Sequence, residues 1–471
     1  MTDPLRPDDQ TEDALAYVAQ ATRSYLAGLL ADPVRAPTAF DAAARFGGDL
    51  PEDGDGALAA LTALVEDGFP AATRSSGPRF FHFVTGGVTP AAHAADWLAT
   101  TLDQNAFTPV SSPLGARLER VAVEWLLDLF ELPPSWGGVL TTGATTANFT
   151  ALAAARRWWA EHHGIDVDER GFAGLPAVPV FSSGYVHPSA TKALAMLGIG
   201  RGSVHVASRD AAGRLDVAAL ERNLAGLDGA PAIVIGNAGD VITGDFDPID
   251  RLADLAERHG AWLHVDGAFG LFARLTPRAA GLAAGVERAD SVIADGHKWL
   301  NVPYDCGFAF LRDPEPLRAT FALTASYLPG DEVPTPESSR RARSLAVWAT
   351  LRAYGRSGYR SMVERHLELA QRLARRVDDH PDLERLAEVP LNIVCFRFRR
   401  PGLDDTELDE LNARLGEELL ADGRVYVGTT RYEGRVAFRP AIVNWRTTEA
   451  DVDLIADVVA ELGARLAGAR R

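Results

Sequence analysis

The chain has 471 residues, too many for one compact core, so two or three domains are expected. Its hydrophobic content of 47% and charged content of 24% are those of an ordinary globular protein. The net charge of −17 argues against nucleic acid and anionic membrane as partners, because both require a basic face.

The first dozen residues are acidic and polar, with no basic segment ahead of an apolar run, so no signal peptide is expected. No apolar stretch approaches the roughly 20 residues that a membrane-spanning helix needs. Residues 1–80 read as an N-terminal helical arm. An amphipathic pattern covers 14–30, and Pro33, Pro37 and the Gly/Asp-rich stretch 47–56 break up the remainder of the arm. Residues 81–339 read as a large α/β domain. Strand-like runs at 177–182, 232–236, 262–265, 291–294 and 307–311 alternate with helical patterns, which predicts a mostly parallel sheet. One such helix, 248–259, sets Ile249, Leu252, Leu255 and Ala256 on one face and ends at Gly260, a natural C-cap. Residues 340–471 read as a small α+β C-terminal domain. A helical stretch at 340–377 leads into strand-like runs at 392–398, 424–427 and 435–438, with helices at 406–421 and 449–466. Cys306 and Cys395 give neither a disulfide framework nor metal spacing, and a cytoplasmic location is expected.

The residues that carry chemistry cluster in the large domain. The chain has two lysines against 45 arginines, and one of the two is Lys298 in Asp295-Gly296-His297-Lys298-Trp299-Leu300. Arginine serves wherever charge alone is needed, but only a neutral amine attacks a carbonyl to form a Schiff base. The run 291–294 leads into Lys298, and the run 262–265 ends on Asp266. Two parallel strands would deliver both side chains to one carboxyl edge of the sheet, where open α/β folds place their ligands. A lysine and a carboxylate at that edge suit pyridoxal phosphate, the amine holding its aldehyde and the carboxylate keeping its pyridine nitrogen protonated. Gly143-Ala144-Thr145-Thr146-Ala147-Asn148 opens a helical run whose first amides and Thr145 hydroxyl would make a phosphate cup. His187 follows another apolar run, where its imidazole could lie flat on a pyridinium ring. Each residue taken singly has a plainer reading. Lys298 could be a leftover of an arginine-rich composition, Asp266 a helix cap and His187 a structural histidine.

Together these segments make the chain recognisable. From about Phe80 to Arg446 it resembles the group II pyridoxal-phosphate-dependent amino-acid decarboxylases, the family of aromatic-L-amino-acid and glutamate decarboxylases. The turn Gly143-Ala144-Thr145 stands where the family binds phosphate, and His187 where it stacks an imidazole on the cofactor. His264-Val265-Asp266-Gly267-Ala268 is similar to the family's His-Val-Asp-Ala-Ala segment, and His297-Lys298-Trp299 to its lysine signature. The resemblance implies catalytic roles for Lys298, His187 and Asp266. It implies cofactor contacts from Thr85, Gly143, Ala144, Thr145, His187, Asp266, Ala268, Asp295, His297 and Lys298. It also implies the fold-type I, aspartate-aminotransferase-like architecture and a homodimer whose active site lies at the subunit interface, with the N-terminal arm wrapping the partner. Two departures stand out. The family often reads Gly-Thr-Thr where this chain has Gly239-Asp240-Val241, which trades a hydroxyl for a carboxylate. The family's loop tyrosine, thought to protonate the substrate carbon after carbon dioxide leaves, has no counterpart in the proline-rich segment 328–338 bordered by Tyr327.

Substrate choice is assigned to Phe80, Phe83, Asn105 and Phe107, whose rings favour a hydrophobic or aromatic amino acid. The expected reaction is decarboxylation of an L-amino acid to the amine. The alternatives are decarboxylation with oxidative deamination to an aldehyde, transamination, and a pyridoxal-phosphate-binding protein without turnover. No metal is expected, since the adjacent His162 and His163 point apart on a helix. Trp158-Trp159 reads as packing, Cys306 as a small buried residue and Lys192 as an exposed side chain.

Overall fold

The computed structural model describes residues 10–183, 185–206, 213–321, 323, 326 and 332–468. Tyr327 and residues 328–331 of the proline-rich segment lie outside them. The chain divides into two compact units. The larger comprises Gly86–Gln371 and Ala387–Val394; the smaller comprises Met1–Thr85, Arg372–Leu386 and Cys395–Arg471. These bounds differ from the three sequence segments, because residues 1–85 share a unit with the C-terminal strands and helices.

The larger unit is built on a seven-stranded sheet. Its strands are β1 (Gly137–Thr141), β2 (Val180–Ser182), β3 (Val204–Val206), β4 (Ile233–Asn237), β5 (Trp262–Asp266), β6 (Ser291–Asp295) and β7 (Gly307–Leu311), in the order β1-β7-β6-β5-β4-β2-β3. β3, β2, β4, β5 and β6 pair in parallel, and β7 runs antiparallel to both β6 and β1. β4 to β7 are buried at every position, which is why they read as unbroken apolar runs. The expected mixed sheet of mostly parallel strands is present. β1 and β3 were not predicted. β1 opens on two glycines, and Gly138 lies so close to β7 that a Cβ there would sit 2.8 Å from Phe310 Cδ1. β3 is a three-residue edge strand, too short to show alternation.

Helices cover the sheet at close range through small residues. In helix Ala144–Glu161, Ala147, Ala151, Ala154 and Ala155 are fully buried in a core with Val180, Ile233, Ile235 and Ile293. Helix Ile249–His259 presses Ile249 and Leu252 onto β4 at Gly236, where a Cβ would meet each Cδ1 at 3.0 Å. It ends as the sequence predicts, with Gly260 at φ 64° and its N–H on the Ala256 carbonyl. The helical residues Ser344–Asp379 are interrupted at Gly355 (φ 59°).

The smaller unit holds an antiparallel sheet of β8 (Leu383–Arg385), β9 (Phe396–Phe398), β10 (Thr429–Tyr432) and β11 (Arg435–Phe438), in the order β10-β11-β9-β8. The run at 424–427 is not a strand. Pairing instead begins at Thr429 opposite Phe438 and closes at Tyr432 opposite Arg435. The register is set by Glu433-Gly434, both at positive φ (49° and 82°), the two-residue turn that matches strand twist. Helix Asp405–Asp422 starts in a capping box between Asp404 and Glu407, and its buried Asn412 bonds both the N–H and the C=O of Phe398 at 2.8 Å. The arm contributes helices Thr11–Gly28, Ala39–Ala43 and Ala57–Ala63.

One ion pair is fully enclosed in the larger unit. Arg340, its side chain 0% exposed, grips both oxygens of Glu119 (6% exposed) and donates to the Leu140 carbonyl at 2.6 Å, next to β1's end. Glu119 in turn accepts the Leu140 N–H at 3.1 Å. Removing one partner of such a pair strands a buried charge. Glu119→Ala is therefore expected to lower unfolding free energy by about 3–5 kcal/mol, read as a drop in the urea midpoint at unchanged m.

Candidate active site

β5 and β6 end side by side, with Asp266 opposite Ile293 in register, and β6 runs two residues further to Asp295. The chain then turns tightly at Gly296, where a Cβ would meet Cys306 Sγ at 2.6 Å. This turn brings Lys298 back on its own strand end. Lys298 Nζ lies 3.1 Å from Asp295 Oδ2, with its side chain 14% exposed, and its charge faces the Phe269 ring at 5.9 Å. His297 Nε2 stands 3.5 Å from the same oxygen, and its Nδ1 pairs with the Cys306 carbonyl at 3.0 Å. Burial pushes the His297 imidazole below its usual range; Asp295 opposes that and the Lys298 charge reinforces it. Tyr304 stacks on His297 with ring centroids 4.2 Å apart.

Asp295 also reaches the predicted phosphate cup. Its Oδ1 accepts the Ala144 N–H at 2.6 Å, at the first residue of helix Ala144–Glu161. Gly143 at the N-cap offers no side chain of its own, and the Thr145 and Thr146 amides have no intrahelical acceptor. Gly143, at φ 150°, packs against β7 so tightly that a Cβ on Gly307 would lie 2.6 Å from its Cα. Thr145 is exposed at the rim.

Asp266 is buried. Its Oδ1 accepts the Ala268 N–H and its Oδ2 the Asn148 amide, each at 3.2 Å. His187 caps helix Pro188–Met196 as an exposed residue, and its Nδ1 accepts the Ser189 N–H at 3.2 Å. Gly86 and Gly87 line the other side of the lysine turn. Gly86 donates to the His297 carbonyl at 3.1 Å and Gly87 to Asn301 Oδ1 at 2.9 Å. A Cβ on Gly86 would fall 2.0 Å from the Lys298 carbonyl oxygen, so only glycine fits there. The carboxylate of Asp240 is used inside its own turn, accepting the N–H groups of Ile242, Thr243 and Asp245.

The remaining predicted residues fall in two places. In the smaller unit, Thr85 is buried with its N–H on the His82 carbonyl, and Phe80 is buried and stacked on Tyr426 at 5.2 Å. Phe83 is 63% exposed beside the His82 ring, and both Phe83 and Val84 hold left-handed backbone (φ 56° and 57°). In the larger unit, Asn105 is exposed and binds the Ser338 carbonyl and the Arg340 N–H. Phe107 is buried, and its carbonyl accepts the Val333 N–H at 2.9 Å. Cys306 is buried and Lys192 exposed, as the sequence suggests. Sequence reasoning gave no role to Asn148, Ser189, His264 or Asn301, although Asn148 and His264 stand inside the motifs it quoted.

The residues fit pyridoxal phosphate. An amine, a buried carboxylate on the neighbouring strand and a helix start whose second and third amides lack intrahelical acceptors meet at one sheet edge, the set that the cofactor's aldehyde, ring nitrogen and phosphate require.

The buried histidine beneath Asp266 makes the unit pH-sensitive. Burial pushes His264 down to about 4, against the opposing pull of Asp266. Because the folded-state value is depressed, the unfolded chain binds the extra proton first. The contribution is full above pH 6.5 and is lost as pH falls toward 4, about 3 kcal/mol in all. Urea titrations between pH 7 and 4 are expected to show that fall, and His264→Gln to flatten it.

Comparisons with known proteins identify the family. The family model for the pyridoxal-dependent decarboxylase conserved domain matches residues 57–399. The chain is 28% identical over 417 residues to an aromatic-L-amino-acid decarboxylase of Bacillus atrophaeus, covering 86% of this chain and 85% of that one. It is 32% identical over 439 residues to the L-2,4-diaminobutyrate decarboxylase of Rhizobium meliloti (strain 1021), covering 88% and 84%. The crystal structure of Oryza sativa TDC with PLP and tryptamine superposes with a TM-score of 0.89 at 25% identity, over 99% of this chain and 100% of that one. The chain belongs to the pyridoxal-dependent decarboxylases, lyases of fold-type I that act on amino acids with pyridoxal phosphate as cofactor.

Proposed function

We propose that the chain decarboxylates a hydrophobic or aromatic L-amino acid to its amine. The observation that carries the reaction is Lys298, a rare lysine placed 3.1 Å from buried Asp295 at the edge where Asp266 also ends. When bound, pyridoxal phosphate supplies an electron sink for the pair left behind as carbon dioxide departs. Lys298 would hold the cofactor aldehyde, and the amides after Ala144 its phosphate. Asp266 would keep a proton on the ring nitrogen, and His187 would set the ring plane. The hydrophobic preference is supported by the aromatic residues that the sequence assigns to substrate choice, Phe80, Phe83 and Phe107. A homodimer is supported by helix Thr11–Gly28, which buries none of its residues within the chain. Cytoplasmic work is supported by Cys306 and Cys395, both buried and neither in a disulfide.

Three outcomes test this reading. Lys298→Ala is expected to lose turnover and the cofactor's visible absorbance while circular dichroism is unchanged; full activity in that variant would remove the cofactor assignment. Asp266→Asn is expected to retain cofactor but lose kcat by orders of magnitude, since a neutral ring is a poor sink. A panel of aromatic, acidic and diamino acids, assayed for amine, aldehyde and keto acid, is expected to give amine from the aromatic members. Preference for an acidic or diamino substrate overturns the specificity, and aldehyde or keto acid as main product overturns the reaction.

A further inference from the structure

Beneath the site lies a chain of hydrogen bonds that the roles above do not use. Trp262 Nε1 donates to Ser291 Oγ at 2.9 Å, and Ser291 Oγ pairs with His264 Nδ1 at 2.8 Å. His264 Nε2 pairs with Asn148 Oδ1 at 2.8 Å. Asn148 Nδ2 faces Asp266 Oδ2 at 3.2 Å and Ser189 Oγ at 3.1 Å, and Ser189 Oγ pairs with His187 Nδ1 at 2.7 Å. Asn148, His264 and Ser291 are 0% exposed, so no solvent competes for the bonds among them.

The direction of the bonds follows from three fixed points, the third being the Ser189 N–H on His187 Nδ1. An indole N–H can only donate, and a carboxylate can only accept. Asp266 therefore turns the Asn148 amide so that Nδ2 donates to it and Oδ1 faces His264. That oxygen needs a donor, which puts the His264 proton on Nε2 and leaves Nδ1 to accept the Ser291 hydroxyl. On the other side Asn148 donates to Ser189. His187 Nδ1 already accepts the Ser189 N–H at 3.2 Å, so it takes the Ser189 hydroxyl proton too and keeps its own proton on Nε2.

We propose that Asn148 is a positioning residue that pins the Asp266 carboxylate and, by orienting the Ser189 hydroxyl, reinforces the His187 tautomer that the Ser189 N–H favours. Its value to catalysis rests on the roles proposed for Asp266 and His187; the wiring itself does not. A carboxylate held by the Asn148 amide and the Ala268 N–H cannot swing away from a ring nitrogen, and an imidazole with Nδ1 occupied below presents one defined face. The depressed basicity of His264, which burial pushes down to about 4, keeps the ring neutral and the relay in this direction at neutral pH.

The test is nitrogen NMR of the holoenzyme with labelled histidine, which reads which ring nitrogen carries the proton. In the wild type His187 and His264 are both expected as Nε2–H. In Asn148→Leu, His187 is expected to show both tautomers, with kcat lowered roughly tenfold or more, the usual cost of losing an orienting partner. Ser189→Ala, which cuts the relay on one side only, is expected to alter His187 and leave His264 unchanged. An Nδ1–H tautomer for either histidine in the wild type overturns the proposal. So does an unaltered His187 in Asn148→Leu or, if that variant does not fold, in Ser189→Ala. Absence of amine product in the wild type would count against the proposed reaction alone, since the tautomers are read without turnover.

Discussion

The Asp295 carboxylate is the constraint on which the rest of the site depends. It is 2% exposed, and a charge so enclosed must be compensated by groups within bonding distance. Its partners are the first N–H of helix Ala144–Glu161, the Lys298 ammonium and the His297 ring. The positive end of the helix and the ammonium act on opposite oxygens. One side chain at the end of β6 thus joins the phosphate cup to the reactive amine, so neither can shift alone.

That junction works only because the backbone around it comes unusually close. Gly86, Gly143, Gly296 and Gly307 each lie where a Cβ would press on backbone or a neighbouring side chain, at distances from 2.0 to 3.3 Å. The glycines let three separate segments meet around Lys298 without side chains between them. Small residues do the same work one layer down, where an alanine-rich helix face lets Asn148 reach Asp266 and His264, 118 and 116 residues away in sequence.

Much of this was legible before the structure. β4 to β7 read as apolar runs because parallel, two-sided burial leaves no polar positions, and their register made Asp266 and Lys298 neighbours. The motifs around Gly143, His187 and Lys298 carried the family. What was hidden was relational. Asn148 looked like part of a turn because nothing local shows that its amide has three partners on two other elements. The run at 424–427 looked like a strand because its apolar content is real, but the Glu433-Gly434 turn, not hydrophobicity, sets which residues pair. Asp240 looked like a charge added to the site because its three amide donors come from its own loop.

The left-handed pair Phe83-Val84 has a consequence for any attempt to make this enzyme more robust. Each such residue stores about 1–3 kcal/mol of conformational strain. Val84 is 1% exposed and β-branched, close to the least suitable side chain for its φ of 57°. A stability screen would favour glycine or asparagine here and select them for relaxing the backbone. The same relaxation would free Phe83 from its outward pose. Thermal hardiness and side-chain presentation are in opposition at these two residues, and selection for the first alone would erode the second.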